Sequence, residues 1–115
     1  MRGSVLVTGA SKGIGRAIAL RLAQDGFELV VHYNRDRAGA EHTLQHIVEQ
    51  GGIGRVLGFD VADRAATRSV LEADIEQHGA YYGVVSNAGI TRDGAFPALT
   101  ESEWDDVIHT NLDSF

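Results

Sequence analysis

Residues 5–15 read Val5-Leu6-Val7-Thr8-Gly9-Ala10-Ser11-Lys12-Gly13-Ile14-Gly15, a short apolar run that leads into a glycine-rich stretch. The run from Val5 to Val7 is aliphatic and bounded by Gly9, which predicts a buried β-strand. Beyond the glycines, apolar residues recur at the helical spacing of three and four, at Ile14, Ala17, Ile18 and Leu22. Gly26 stands where such a helix would end on a left-handed residue. The opening of the chain therefore predicts a strand, a glycine turn and an amphipathic helix.

The same alternation of strand and helix continues along the chain. Further strands are predicted at residues 29–31, 56–59 and 84–85. Helical spacing separates them, shown by Ala40, Leu44, Ile47 and Val48 before Gly51-Gly52, and by Val70, Leu71 and Ile75 before Gly79. Strands that alternate with helices of this length need right-handed crossovers, which make a parallel sheet with helices on both faces. The predicted fold class is α/β, a doubly wound sheet in three α/β/α layers.

A last helix is predicted after the fourth strand. Thr100 and Glu103 have the spacing of a capping box, and Leu99 and Trp104 fit the hydrophobic staple expected around it. One face of this helix would carry Trp104, Val107, Ile108, Asn111, Leu112 and Phe115. Asn111 is the polar member of that stripe, so we expect it to be buried and to need hydrogen-bond partners.

The composition is that of one folded domain spanning residues 1–115. Hydrophobic residues make up 43% and charged residues 23%, with one Pro, which suits a packed core and not a disordered segment. A formal charge of −6 with scattered basic residues argues against nucleic acid as a partner. The absence of Cys and of a long apolar segment argues against disulfides, thiolate metal sites and a membrane span, and makes the cytosol the expected compartment.

The glycine stretch lies at the junction of the first strand and helix. Such a junction offers backbone N–H groups and the positive end of a helix to a pyrophosphate. Its Gly-x-x-x-Gly-x-Gly spacing differs from the Gly-x-Gly-x-x-Gly dinucleotide motif, and no Gly-Lys-Ser/Thr follows, which disfavours a P-loop. A tight turn without a ligand is the alternative interpretation.

These residues resemble the short-chain dehydrogenase/reductase family, whose loop reads Thr-Gly-x-x-x-Gly-x-Gly, matched at Thr8, Gly9, Gly13 and Gly15. The family's Asp after the third strand is matched by Asp60-Val61, and its Asn-Asn-Ala-Gly by residues 86–89, where Ser86 departs from the pattern. The resemblance implies a Rossmann-type nucleotide-binding domain that is interrupted after the helix following the fourth strand. It implies cofactor contacts from Gly9, Ser11, Lys12, Gly13, Ile14, Gly15, Asn34, Arg35, Asp60, Val61, Asn87, Ala88 and Gly89.

Asp60 has two possible roles. The resemblance implies a hydrogen bond from the adenine amino group to its carboxylate, with backbone contact from Val61. The alternative is a helix cap, but Asp63 is better placed to cap a helix that starts near Arg64, which would leave Asp60 free.

The choice between NADPH and NADH depends on the end of the second strand, where NAD-dependent proteins of this class carry an acid and a 2′-phosphate needs a cation. Tyr33 occupies that acid position by the resemblance, and Arg35 together with Lys12 could clamp a phosphate. NADPH is therefore favoured. Asp36 lies only slightly farther along and could reach a ribose, so NADH stays open.

Ketone reduction by a nicotinamide needs a hydride donor and an acid. The resembled family uses Ser, Tyr and Lys around a Tyr-x-x-x-Lys helix, with an Asn completing a proton relay, and Asn111 matches that Asn. A helix-interior Asn bonded to backbone is the alternative. Tyr33, Tyr81 and Tyr82 have no Lys four residues on, so we expect the general acid beyond Phe115.

Residues 89–93, Trp104 and Asn111-Leu112 look most like the 3-oxoacyl-acyl-carrier-protein reductase branch of the family. That resemblance implies NADPH-dependent reduction of a 3-oxoacyl thioester on acyl carrier protein, in acyl-chain biosynthesis, by a homotetramer. The alternatives are another family member acting on a small ketone or alcohol, and a nucleotide-binding fragment without turnover.

The sequence argues against two other kinds of site, a zinc site and a phosphoacceptor site. His42 and His46 lie one helical turn apart but lack the third ligand of a zinc site, so no metal site is predicted. A phosphoacceptor at Asp60 would need an acidic pair after the first strand to hold Mg²⁺, and the glycine stretch occupies that place.

Overall fold

The computed structural model of the chain describes residues 3–86. Its elements, in chain order, are β1 (Ser4–Val7), α1 (Gly13–Gln24), β2 (Glu28–Tyr33), α2 (Arg37–Glu49), β3 (Gly54–Gly58), α3 (Arg64–His78) and β4 (Gly83–Val85). The predicted strands and helices of this range are present, although the third strand ends one residue earlier than predicted. The helix predicted from Trp104 lies outside the described residues.

The strands form a parallel sheet in the order β3-β2-β1-β4. Val7 is in register with Val31 on one side and with Val85 on the other. The chain thus moves outward through β2 and β3 and then returns to the opposite side of β1. The predicted doubly wound sheet is confirmed, and its switch point lies between β1 and β4.

Alternate residues of each strand face opposite sides of the sheet and enter separate hydrophobic clusters. On one side Val7 and Val31 pack with Ala19 of α1 and Ile47 of α2. The other cluster unites strand residues with α3 and consists of Leu6, Val30, Phe59, Val61, Leu71, Ile75 and Tyr81. Helices therefore cover both faces, which confirms the predicted three layers.

The stripe predicted for α1 is confirmed in part, since Ile18 and Leu22 are half-buried and pack against the hydrophobic cluster on this face of the sheet. Ile14 is 67% exposed, whereas Gly15, Ala19 and Ala23 are the buried residues of this helix. Small side chains let a helix backbone approach the sheet closely, so these three residues make the innermost contact and Ile18 and Leu22 pack beside them. The stripe predicted in α2 is wrong at one position, because Val48 is exposed and the polar Thr43 is buried.

The end of α1 confirms the role predicted for Gly26. Gly26 has φ +95°. Its N–H donates to the carbonyl of Ala23 at 3.1 Å, and the N–H of Phe27 donates to the carbonyl of Leu22 at 3.2 Å. These two bonds make a Schellman motif, which needs a left-handed residue at this position.

Four polar side chains join α3 to the amino ends of the strands. Arg55 of β3 makes a bidentate pair with Asp74 of α3, at 2.9 and 2.7 Å, and also contacts Glu28 at 2.6 Å. The hydroxyl of Tyr81 donates to Asp74 at 2.6 Å. This cluster lies at the edge of the sheet opposite the glycine loop, so it stabilises the fold away from the carboxyl ends of the strands.

Within residues 3–86, no helix is both long enough and apolar enough to cross a membrane.

Candidate nucleotide-binding site

The glycine loop, residues 8–15, begins between the ends of the two strands that flank β1. Thr8 is buried, and its N–H donates to the carbonyl of Val85 at 3.0 Å. Two residues later, the N–H of Ala10 donates to the carbonyl of His32 at 2.9 Å. The loop is therefore held by β4 on one side and by β2 on the other. This position is the switch point, where ligands bind in doubly wound sheets.

His32 makes a further contact with the loop through its side chain. The N–H of Gly9 donates to Nδ1 of the ring at 3.0 Å, and Nε2 lies 2.8 Å from the carbonyl oxygen of Phe59. Since a carbonyl only accepts, Nε2 must carry the proton and Nδ1 must be the acceptor. Burial lowers the pKa of His32, and the bond to Phe59 opposes that effect. The ring is thus a neutral bridge between the glycine loop and the end of β3.

Arg16 and Thr43 hold the other side of the loop. Nε of Arg16 donates to the Thr43 hydroxyl at 2.8 Å, and the Arg16 guanidinium also donates to the carbonyls of Ser11 and Gly39. The Thr43 hydroxyl in turn donates to the carbonyl of Ala10 at 2.8 Å. The loop and the amino end of α2 are consequently joined by one network.

Sequence reasoning missed His32, Arg16 and Thr43 as residues that support the site. The available signals were a His within a strand that is otherwise apolar and a Thr at helical spacing between Ala40 and Ile47. Neither signal identifies the partners, because these come from other segments of the chain.

The amino end of α1 lacks the side-chain cap that the other two described helices have. Asp36 caps α2 by accepting from the N–H of Gly39 at 2.9 Å, and Asp63 caps α3 by accepting from Ala66 at 3.0 Å. Lys12 is the corresponding residue of α1 and makes no side-chain cap bond. The first amides of a helix need an acceptor from outside the helix. An anionic ligand can supply one here.

The backbone of the loop suits the close approach of such a ligand. Gly13 has φ +62°, a conformation that costs an L-residue free energy. Lys12, Gly13 and Ile14 are exposed, Ser11 is half-buried and Gly15 is buried against the sheet. Of the predicted contact residues of the loop, Lys12, Gly13 and Ile14 therefore form an accessible surface at the start of α1, and a dinucleotide's diphosphate fits the chemistry of its amides.

Asn34 and Arg35 follow β2 directly and are exposed at the same edge of the sheet as the loop. Asp36, which was predicted to be able to reach a ribose, is engaged as the cap of α2. Tyr33 packs its ring over Gly58, where a Cβ atom would collide with it. The region that the sequence associated with the adenosine ribose thus carries an exposed cation, Arg35, and a carboxylate, that of Asp36, with one oxygen bonded to the backbone of α2.

Asp60 and Val61 follow β3. Asp63 caps α3 as predicted. The expectation that this would leave the Asp60 carboxylate free is wrong, because one of its two oxygens has a hydrogen bond. The Oδ1 atom of Asp60 accepts from the N–H of Ala62 at 2.9 Å, because the chain turns there. Asp60 is otherwise exposed at the edge that holds the glycine loop, and Val61 is buried under α3.

The remaining predicted site residues, Asn87, Ala88, Gly89 and Asn111, lie outside the described residues. His42 and His46 face each other with ring centroids 4.6 Å apart. Residues 3–86 contain no group of three or more His, Cys, Asp or Glu side chains that could hold a metal ion.

A model of the short chain dehydrogenase family matches residues 3–115. The 3-oxoacyl-[acyl-carrier-protein] reductase FabG of Aggregatibacter actinomycetemcomitans is 56% identical over 115 residues, which are 100% of this chain and 48% of that protein. FabG of Staphylococcus aureus strain Mu50 is 42% identical over 112 residues, or 97% of this chain and 46% of that protein. The chain thus spans about half the length of these curated relatives.

A solved structure is similar as well. The promiscuous reductase LugOII, which catalyses keto-reduction at C1 during lugdunomycin biosynthesis, matches with a TM-score of 0.69 and 31% identity, over 93% of this chain and 44% of that one. The sequence and structure comparisons therefore agree with the geometry at the switch point, where a glycine loop leads into a helix that has no side-chain cap. The chain belongs to the short-chain dehydrogenase family.

Proposed function

We propose that this chain is the nucleotide-binding part of an NADPH-dependent reductase that converts a 3-oxoacyl thioester on acyl carrier protein to its 3-hydroxyacyl form, in fatty-acid or related acyl-chain biosynthesis. The observation that carries the proposal is the uncapped amino end of α1 at the switch point of the sheet. Relatives named as 3-oxoacyl-[acyl-carrier-protein] reductases, 56% and 42% identical, support the substrate class.

The residues proposed to hold the dinucleotide fall into two groups. The amides of residues 11–15 would bind the diphosphate, since they lie at a positive helix end with no side-chain cap. Asp60 and Val61 would contact the adenine from the end of β3. Residues 87–89 would face the nicotinamide side of the crevice, a role that rests on the family motif because these residues lie outside the described part of the chain.

Charge at the edge of the site supports NADPH over NADH. Lys12 and Arg35 are exposed cations on the loops that follow β1 and β2, and Arg35 follows the proposed ribose contact Asn34 in the chain. The carboxylate next to Arg35 in the chain, that of Asp36, has its Oδ1 atom bonded to the backbone of α2. Two exposed cations favour a 2′-phosphate, because an arginine and a phosphate form charge-assisted hydrogen bonds.

A bound nicotinamide would supply the hydride, and the protein must then provide the proton. Tyr81 is unsuited to that task, since it is buried at the edge of the sheet opposite the glycine loop and its hydroxyl donates a hydrogen bond to Asp74. Tyr33 packs on Gly58. We propose that the acid comes from the part of the enzyme that the longer relatives have in addition, and that Asn111 supports the proton relay. We also propose that the full-length enzyme is a homotetramer and that it acts in the cytosol.

Reduction of a different ketone is the second candidate. The similar structure LugOII is named for keto-reduction on another molecule and is called promiscuous, which shows that this fold can act on a ketone outside acyl-chain synthesis.

Turnover by the full-length protein tests both candidates. The loss of reduced-nicotinamide absorbance is followed with a 3-oxobutyryl thioester and with a ketone of matched length that lacks the thioester. Faster turnover of the thioester with NADPH supports the first candidate, and preference for the plain ketone supports the second. If neither NADPH nor NADH binds in a fluorescence titration, both are rejected.

A further inference from the structure

His32 holds two consecutive amides of the glycine loop. Its backbone carbonyl accepts from the N–H of Ala10 at 2.9 Å, and its ring atom Nδ1 accepts from the N–H of Gly9 at 3.0 Å. Gly9 has φ +62°, so the chain turns at the residue whose amide the ring holds. One residue of β2 therefore sets the course of the backbone just before the amides proposed to meet the diphosphate.

The same ring is locked from its other side by the end of β3. Nε2 donates to the carbonyl of Phe59 at 2.8 Å, and the His32 and Phe59 rings pack with centroids 4.1 Å apart. The backbone of Phe59 is itself fixed, because its N–H donates to the carbonyl of Tyr33 at 3.2 Å. The ring thus has a rigid acceptor for Nε2, which keeps the proton there and leaves the lone pair of Nδ1 for Gly9.

We propose that His32 is a positioning residue of the nucleotide site, whose Nδ1 lone pair aims the glycine loop so that the amides of residues 11–15 converge on the diphosphate. This inference rests on the proposed function. In this proposal the carbonyl of Phe59 selects the tautomer of the His32 ring. The Gly9 amide is the group that the ring holds in place.

The geometry makes the inference specific to one ring nitrogen. A fully buried His that served packing alone would matter through its volume and through both of its bonds about equally. A positioning role instead makes the bond at Nδ1 decide the affinity for the dinucleotide, while the bonds at Nδ1 and Nε2 both contribute to stability. Two amide side chains separate these contributions. The oxygen of an Asn can replace the acceptor Nδ1, and the amide nitrogen of a Gln can replace the donor Nε2.

The test compares His32→Asn with His32→Gln in the full-length protein. Each variant keeps one of the two bonds, so we expect their thermal unfolding midpoints to fall by similar amounts. We expect NADPH, measured by fluorescence titration, to bind the Asn variant within about threefold of the wild type and the Gln variant about tenfold to a hundredfold more weakly, because only the Gln variant loses the hydrogen bond that holds the Gly9 amide. Losses of affinity that are equal in the two variants would overturn the inference.

A measurement on the wild type keeps the inference falsifiable if a variant fails to fold. The ¹⁵N shifts of the His32 ring report which nitrogen carries the proton. We expect an unprotonated Nδ1 and a protonated Nε2 both before and after addition of NADPH. A proton on Nδ1 in the complex would refute the inference. Absence of any NADPH or NADH binding to the wild type would instead reject the proposed function, so the two failures are distinguishable.

Discussion

Nε of Arg16 lies 2.8 Å from the hydroxyl oxygen of Thr43, and this bond joins the first helix to the second directly behind the glycine loop. Thr43 is fully buried and passes the connection on to the carbonyl of Ala10. The pair therefore couples the stability of the helix contact to the shape of the loop.

Replacing Thr43 with Val should test this coupling, because Val matches the shape of Thr and lacks its hydroxyl. The substitution leaves the carbonyl of Ala10 and the guanidinium of Arg16 each short of a partner. We expect the free energy of unfolding to fall by about 1–3 kcal/mol, measured by urea denaturation. Ser69→Ala is the control, since Ser69 is exposed on α3, and it should change stability by less than about 0.5 kcal/mol. A Thr43→Val protein as stable as this control would contradict the account.

Lys12 and Arg35 should discriminate between the two dinucleotides. The double substitution of both residues to Ala is expected to weaken NADPH binding about tenfold or more while changing NADH binding little, because the 2′-phosphate is the group that NADH lacks. The dissociation constants are measured by fluorescence titration. Arg21→Ala is a matched control, as it removes a cation from the far end of α1, where Arg21 forms an ion pair with Asp25. Equal losses for NADPH and NADH would reject the assignment.

The buried His32 should make stability depend on pH. Its pKa is lowered from the ordinary value of 6.5, first by desolvation, so the folded chain takes up this proton less readily than the unfolded chain. The contribution of His32 to stability is therefore fully present above pH 6.5. It is lost as the pH falls below that value, by at most about 1.4 kcal/mol per pH unit. The charged residues nearest in sequence to the two ring contacts, Lys12 and Asp60, are exposed.

Comparison of the wild type with His32→Asn isolates this contribution from those of other groups, because Asn does not titrate. We expect the difference in unfolding free energy between pH 7 and pH 5 to be larger for the wild type, measured by urea denaturation. An identical pH dependence in the two proteins would show that His32 does not bind protons differently in the folded and unfolded chains.

Tyr81 should matter for stability and not for the dinucleotide. Burial and the bond to Asp74 raise the pKa of its hydroxyl, so Tyr81 stays protonated and donates to Asp74 throughout the neutral range. Tyr81→Phe removes that bond and is expected to lower the unfolding free energy by about 1.5–3 kcal/mol, as for bonds to charged groups. The NADPH dissociation constant should stay within about twofold, because the cluster lies at the opposite edge of the sheet. A large change in affinity would contradict this separation.

Much of the architecture follows from interactions between residues that are close in the sequence. Apolar runs and helical spacing predicted the elements within residues 3–86, Gly26 ends α1 as predicted, and Asp63 caps α3 as predicted. A cap or a Schellman turn is completed within a few residues, so its signal is present in the local pattern. The parallel sheet followed from the alternation of strands and helices, because short crossovers allow few other topologies.

The support of the candidate site could not be predicted in this way, because each supporting residue depends on a partner far along the chain. His32 gains its role from Gly9 and Phe59, and Arg16 from Thr43. The exposure of Ile14 and the burial of small residues in α1 likewise depend on how closely the helix packs on the sheet. The sequence by itself determined the order of elements and the glycine loop that carries the proposed diphosphate contacts. Only the tertiary structure decided which polar groups hold that loop, because a buried hydrogen bond requires two distant segments to meet at one distance and angle.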